Sequence, residues 1–171
     1  DRREALWAVG AAVQAGVDRL PGIVTGASAP RLPGMDPLET TVADLWSTGV
    51  SATGHPTEFL RAELDRLGVV TSRGLWSCES GRRVAVAGVV THRQRPMTAQ
   101  GTTFINLEDE TGLINVVVSK GCWKRYAVAA RGAPALLIHG RLERADGVVN
   151  IVAEVLTPLR VAATAGSRDF R

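Results

Sequence analysis

Aromatic residues are scarce in this 171-residue chain: four Trp, three Phe and one Tyr make up 5% of it. A strong, independent binder of single-stranded nucleic acid normally presents more rings than that, so the deficit argues against strong stand-alone binding. Cysteine is scarcer. Cys78 and Cys122 lie far apart and fit no Cys-x-x-Cys or Cys/His ligand spacing, which argues against a metal site and leaves two idle thiols. Hydrophobic runs are all far shorter than the ~20 residues of a membrane span. Residues 1–20 have no signal-peptide layout, because Arg2, Arg3 and Glu4 lead into an Ala-rich helical pattern. The expectation is a cytoplasmic chain with no membrane partner. A large excess of one charge is missing too, the net being +3. That small number covers an asymmetry: residues 1–79 hold seven Arg against ten acids, and residues 80–160 hold eleven Lys/Arg against six. A basic half joined to an acidic half points to a polyanion as partner of the basic half.

What is present is globular composition, 45% hydrophobic and 22% charged. The most informative stretch is Thr102–Val118, TTFINLEDETGLINVVV. Two β-branched runs flank Glu108-Asp109-Glu110-Thr111-Gly112, hairpin-turn chemistry in which Gly accepts φ > 0 and Asp bonds its own backbone. Thr103, Ile105 and Leu107 alternate with Phe104, Asn106 and Glu108, giving one apolar face and one face with a ring and an amide. The three adjacent carboxylates invite a metal reading, but side chains in a turn diverge and usually only shape it.

Upstream, a helix is expected from Asp1 to about Leu20, with Leu6, Val9, Val13 and Val17 at helical spacing, stopped by Pro21-Gly22. Residues 22–35 read as a linker. Asp36-Pro37-Leu38-Glu39 is a helix start, followed by an apolar stripe of Leu38, Val42, Leu45 and Trp46, with Gly49 as the stop. His55-Pro56 opens a second helix with Phe59, Leu60, Leu64 and Leu67 on one face and Gly68 at its end. His55 reads as a cap or loop residue and not as a catalytic base, since no Ser, Cys or carboxylate partner for catalysis is evident.

From Arg82 the period changes to two. Strands are expected at Arg83–His92 (Gly88 at a bend), 102–108, 113–119, Ala135–Glu143 and Gly147–Leu156, with a doubly cationic loop over 93–101. A short helix starts near Ser119 and carries Trp123 and Tyr126 toward the core. Asp146-Gly147 signals a second hairpin. The chain is therefore read as mainly β with a helical N-terminal part. Five strands with a helix between the third and fourth make a five-stranded OB-fold barrel, preceded by a small helical segment. The boundaries are residues 1–21, linker 22–35, two-helix segment 36–79, OB domain 80–160 and tail 161–171.

These residues carry a resemblance. The run from Val84 to Leu156 resembles the C-terminal OB domain of bacterial C-family DNA polymerase alpha subunits, and Gly49–Pro56 resembles the Ser-Gly-His-Pro segment that precedes it. The runs VAVAGVVTHRQRPMTAQGTTFINLEDETGLINVVVS and RGAPALLIHGRLERADGVVNIVAE, with the terminal SRDFR, are similar to the error-prone, damage-induced ImuC branch. Residues 1–21 resemble the end of its helix-hairpin-helix region. The resemblance implies a parent DNA-directed polymerase in translesion synthesis and induced mutagenesis, using Mg2+ and working with ImuA- and ImuB-type accessory proteins. The palm carrying the catalytic aspartates and the PHP domain have no counterpart in this chain, so no catalytic residue, metal site or cofactor is assigned to it. No Gln-x-x-Leu-Phe clamp motif is present, which fits recruitment to the clamp only through a partner.

The chemistry expected of the chain is binding. Cations tracking phosphates would be Arg93 and Arg95 in the loop, Lys120, Lys124 and Arg125 on the helix, and Arg141 and Arg144 near the last hairpin. Phe104 would stack on bases if Ile105 and Leu107 fill the barrel, as an outward Phe does in the anticodon-binding OB domains that this hairpin also resembles. Asn106 and Asn115 would serve as adaptable donors and acceptors. A protein-docking module remains open as the second class, with Arg168, Asp169, Phe170 and Arg171 as a tail anchor for an ImuB-type partner.

Overall fold

The computed structural model describes residues 4–5, 7–10, 34–48, 54–145 and 147–160. The chain divides into two compact units, 1–36 and 37–171. In the first, residues 4–5 and 7–10 are helical and expose Trp7 and Val9. The rest of the helix expected over 1–20, the linker up to residue 33 and the tail with Arg168, Asp169, Phe170 and Arg171 lie outside the described residues.

The second unit begins with α1 (Pro37–Thr48), which carries Glu39 in its first turn; the stop expected at Gly49 lies outside the described residues. Leu38, Val42 and Leu45 are half-buried, while the fully buried residue is Thr41, a polar side chain that the apolar stripe does not reveal. The second helix is not one run. It is α2 (Pro56–Phe59) and α3 (Arg61–Arg66), broken at Leu60 with φ −96° and ψ −1°. The break rotates the apolar face: Leu64 is buried and Leu60 half-buried, but Phe59 and Leu67 are exposed. His55 caps α2 as expected, its Nδ1 accepting the Thr57 N–H at 3.3 Å, and the Glu58 carboxylate completes the capping box. A 3-10 turn, Gly74–Ser77, seats Leu75 in the core.

The strands β1 (Arg83–Gln94), β2 (Thr103–Asp109), β3 (Gly112–Val118), β4 (Ala135–Ala145) and β5 (Val148–Pro158) form a closed barrel in the order β1-β2-β3-β5-β4. This is the OB-fold. β3 and β5 run parallel and every other pair is antiparallel. The helix between β3 and β4 is also split, into α4 (Lys120–Arg125) and α5 (Ala127–Gly132). Period-two alternation fills the interior with Ile105, Leu107, Ile114, Val116, Leu136, Ile138 and Ile151, all at most 1% exposed. Trp123 and Tyr126 pack against this core, half-buried.

β1 is buried on both faces over its first half. Val84 and Val86 join the barrel interior, while Ala85 and Ala87 lie under Leu64 and Val69 of the helical segment. Gly88 sits where a Cβ would come 2.6 Å from the Glu108 carbonyl oxygen, so its role is close strand approach. The irregularity expected there falls instead between Val90 and His92, where the register with β2 shifts. β1 also continues to Gln94, so Arg93 belongs to the strand and not to the loop.

The helical segment is fastened to the β2–β3 turn. Asp109, 2% exposed, accepts from Thr111 N–H, Thr111 Oγ1 and Gly112 N–H through Oδ1, and from Ser72 N–H through Oδ2 at 2.6 Å. Glu110 points the other way. It accepts from Arg61 Nε at 2.6 Å, from Arg61 Nη2 at 3.0 Å and from Thr57 Oγ1 at 2.5 Å, and Thr57 Oγ1 lies 2.7 Å from His55 Nδ1. Burial pushes the Glu110 carboxyl up, but the hydrogen bonds from Arg61 and Thr57 outweigh it, and the net shift is below the ordinary 4.5. Burial pushes the His55 imidazole below its ordinary 6.5, against the pull of the nearby carboxylates Glu108 and Glu110. Both groups have depressed folded-state values, so both stabilise the fold at neutral pH and lose that contribution as pH falls through those values. Urea unfolding followed from pH 7 to pH 3.5 is expected to show stability falling from about pH 6.5 downward and again below about 4.5. Glu110→Gln is expected to be less stable at pH 7 and to show a smaller second fall.

Candidate nucleic-acid interface

The register sorts the outer surface of the barrel into rows. Cross-strand partners share a face, so Phe104 stands beside Gln94 on one side and Val117 on the other, and Val117 pairs with Val152, which pairs with Arg141. One row on, His92, Asn106, Asn115, Asn150 and Glu143 are successive partners. Phe104 is 38% exposed, on the opposite face from the buried Ile105 and Leu107. The ring therefore lies outside the barrel, next to half-buried Asn106 and Asn115. The rows are about 7 Å apart along the strands and adjacent partners about 5 Å apart across them.

The β1–β2 loop forms the edge of this face nearest Phe104. Gln100 (φ 50°) and Gly101 (φ 89°) adopt successive left-handed conformations that fold the loop back. A Cβ on Gly101 would lie 3.2 Å from Lys120 Cδ and 3.6 Å from Arg95 Nη2, which places these two exposed cations next to that glycine. Lys120 opens α4 because Ser119 caps it, accepting the Cys122 N–H at 3.2 Å. Lys124 and Arg125 are exposed in the last turn of the same helix. The opposite edge of the face is acidic, with Glu108 and Glu143 at the ends of their strands.

Residues 84–159 match the tRNA anti-codon family, described as an OB-fold nucleic acid binding domain. The whole chain has close relatives: it is 55% identical over 170 residues to the error-prone DNA polymerase of Mycobacterium bovis, and 54% identical to that of Nocardia farcinica. The alignment with the first covers 99% of this chain and 16% of the relative, and with the second 99% and 15%. The chain is homologous to a segment of the error-prone DNA polymerases. It spans about a sixth of the length of those relatives. The asparaginyl-tRNA synthetase of Pyrococcus horikoshii shares 20% identity with a TM-score of 0.46, covering 56% of this chain and 24% of that one.

Within this chain, two of the expected phosphate ligands have other work. Arg93 pairs with Ile105 and so falls on the inner side of the alternation, after the register shift in β1. Its Nε donates to the Ala130 carbonyl at 2.8 Å and its Nη2 to the Ala133 carbonyl, satisfying groups at the C-terminal end of α5. Arg144 pairs with the buried Val149, again on the inner side, and its Nη2 donates to the carbonyls of Trp76 at 2.7 Å and Cys78 at 3.1 Å at the end of the 3-10 turn. Its guanidinium also lies over the Trp76 ring, 6.0 Å from the centroid. Both arginines tie helical ends to the barrel, and neither stands in the Phe104 row. Arg95, Lys120, Lys124, Arg125 and Arg141 remain exposed. Among the described residues, no three His, Cys, Asp or Glu side chains gather as a metal site, and no helix is long and apolar enough to cross a membrane. Arg93→Ala is expected to lower unfolding free energy by about 1–3 kcal/mol, because it leaves half-buried carbonyls without donors. Arg95→Ala is expected to stay within about 0.5 kcal/mol. Urea titration of the two variants checks the contrast.

Proposed function

We propose that this chain is the C-terminal, non-catalytic region of an error-prone DNA polymerase acting in translesion synthesis and damage-induced mutagenesis, and that its barrel binds single-stranded template DNA weakly. The observation that carries the binding role is the exposed ring of Phe104 on the outer face with Arg95 and Lys120 at the adjoining edge. A ring accepts any base by stacking, and cations at its edge meet the phosphates on either side. The contact set, revised by the positions of Arg93 and Arg144, is Phe104, Asn106 and Asn115 with Arg95, Lys120, Lys124 and Arg141. One ring and a few cations support modest affinity.

A second reading is favoured by exposed apolar side chains at the far end of the same face: Leu113 is 62% exposed and Val148 45%. Each lies two residues before an asparagine of the amide row, Asn115 and Asn150, and so on the same side. That patch suits a protein partner of the ImuB or ImuA type, which would bring the polymerase to the clamp indirectly.

Fluorescence anisotropy with a labelled single-stranded oligonucleotide at several salt concentrations separates the two. The expected result is binding at low salt that weakens as salt rises. Phe104→Ala should weaken it by about 1–3 kcal/mol. The double variant Arg95→Ala, Lys120→Ala should reduce the slope of log K against log salt by about 1.4. No binding at low salt, with retention of an ImuB-type protein in pull-down, would leave the docking reading standing alone.

A further inference from the structure

Asn106, Asn115 and Asn150 stand side by side on three neighbouring strands, with His92 continuing the row onto β1. Asparagine is among the residues that strands disfavour, and here it recurs in register across β2, β3 and β5. Nothing inside the barrel explains the choice. Among the described residues, none of the three side-chain amides makes a hydrogen bond, although all three are half-buried. The only buried side-chain polar atoms without a partner among the described residues are Thr103 Oγ1 and Trp123 Nε1, so the three amides reach solvent and their donors and acceptors are available to a ligand on the outer face.

The surroundings narrow the ligand. The row ends at Glu143, and Glu108 follows two residues after Asn106 on the same face. Carboxylates at that side repel phosphate, which leaves the amide donors there poorly placed to hold it. The cations Arg95 and Lys120 lie on the other side of the Phe104 row. A strand whose phosphates follow those cations therefore points its bases toward the amides, about 7 Å beyond the ring. An amide carries an acceptor and two donors in one plane, which matches the adjacent donor and acceptor on the edge of an unpaired base.

We infer that Asn106, Asn115 and Asn150 form a base-reading row, giving the single-strand site a preference among bases that ring stacking alone does not supply. Asn150 is its least obvious member, since β5 reaches the site only because it runs parallel beside β3. The inference rests on the single-strand reading above and goes beyond it.

The test is anisotropy of the 171-residue chain with labelled homopolymers of deoxyadenosine, deoxycytidine and thymidine at one low salt concentration. The chain is expected to discriminate among them. Asn150→Ala and Asn115→Ala should each narrow the ratio of strongest to weakest binding about fivefold, the effect of one lost hydrogen bond, while leaving the salt dependence unchanged. Asn150→Ser, with equal unfolding midpoints, guards against a folding defect. Equal affinity for all three polymers, a ratio unchanged in the variants, or a uniform loss across polymers would each overturn the row while single-strand binding stands. Absence of binding to every polymer would overturn both.

Discussion

A buried carboxylate ringed by donors fixes the geometry on which the rest of this domain depends. Asp109 collects hydrogen bonds from Thr111 and Gly112 in its own turn and from Ser72 thirty-seven residues away. The local bonds set where β2 stops and β3 begins, so they set the register between the two strands. Register decides which side chains face water, because a slip of one residue exchanges the faces. With Asp109 in place, Ile105 pairs with Val116 inside and Phe104 with Val117 outside. The distant bond then lays residues 69–78 over the turn. Glu110 adds the helical segment through Arg61 and Thr57, so one tetrapeptide both orients the outer face and attaches the layer that covers β1.

Closure of the sheet imposes a second consequence. A barrel has only an inside and an outside, and polar groups at its ends must be satisfied from whichever strand residue points that way. Arg93 and Arg144 fall on the inner side at strand ends, and helical carbonyls lie within reach of each. A long, always-charged side chain with several donors in a plane suits that position better than lysine does. Two cations that a count of charge assigns to nucleic acid are thus used to close the ends of the barrel, and the cations left on the outer face concentrate near the β1–β2 loop.

The alternation in Thr102–Val118 was legible because period two over both arms of a hairpin admits one solution with a buried face. The turn chemistry of Asp109 and Gly112 and the cap at His55 followed from local rules. What escaped the sequence was non-local. The register shift between Val90 and His92 moves Arg93 to the inner side, and nothing in the run RVAVAGVVTHRQ marks that step. The break at Leu60 falls where that side chain packs against the cluster of Leu64, Val69, Ala85 and Ala87, and no Gly or Pro marks it in the sequence. Thr57 and Glu110 are fifty-three residues apart, so their bond has no periodic signature. Asn150 joins Asn115 through the parallel β3–β5 pairing, which, like the β1–β4 pairing that closes the barrel, no turn in the chain announces.

The outer face is electrically polarised: cations border it at the β1–β2 loop and carboxylates at the β2–β3 turn and on β4. A phosphate chain lying along the strands would have to cross from the first region into the second, gaining at one end and losing at the other. A chain lying across the strands stays beside the cations throughout and presents its bases to Phe104 and the amides. Polarity therefore selects the orientation of a bound strand even where it contributes little to affinity. The scarcity of rings has a related reading. A face with one stacking platform is weak by itself, but when it is linked to other contacts on the same DNA its second-site binding becomes intramolecular, and modest intrinsic affinity is enough to be occupied. If the barrel binds template as proposed, a tighter site would hold the strand against translocation, and a single ring flanked by a few exposed cations would let each nucleotide go as the next arrives.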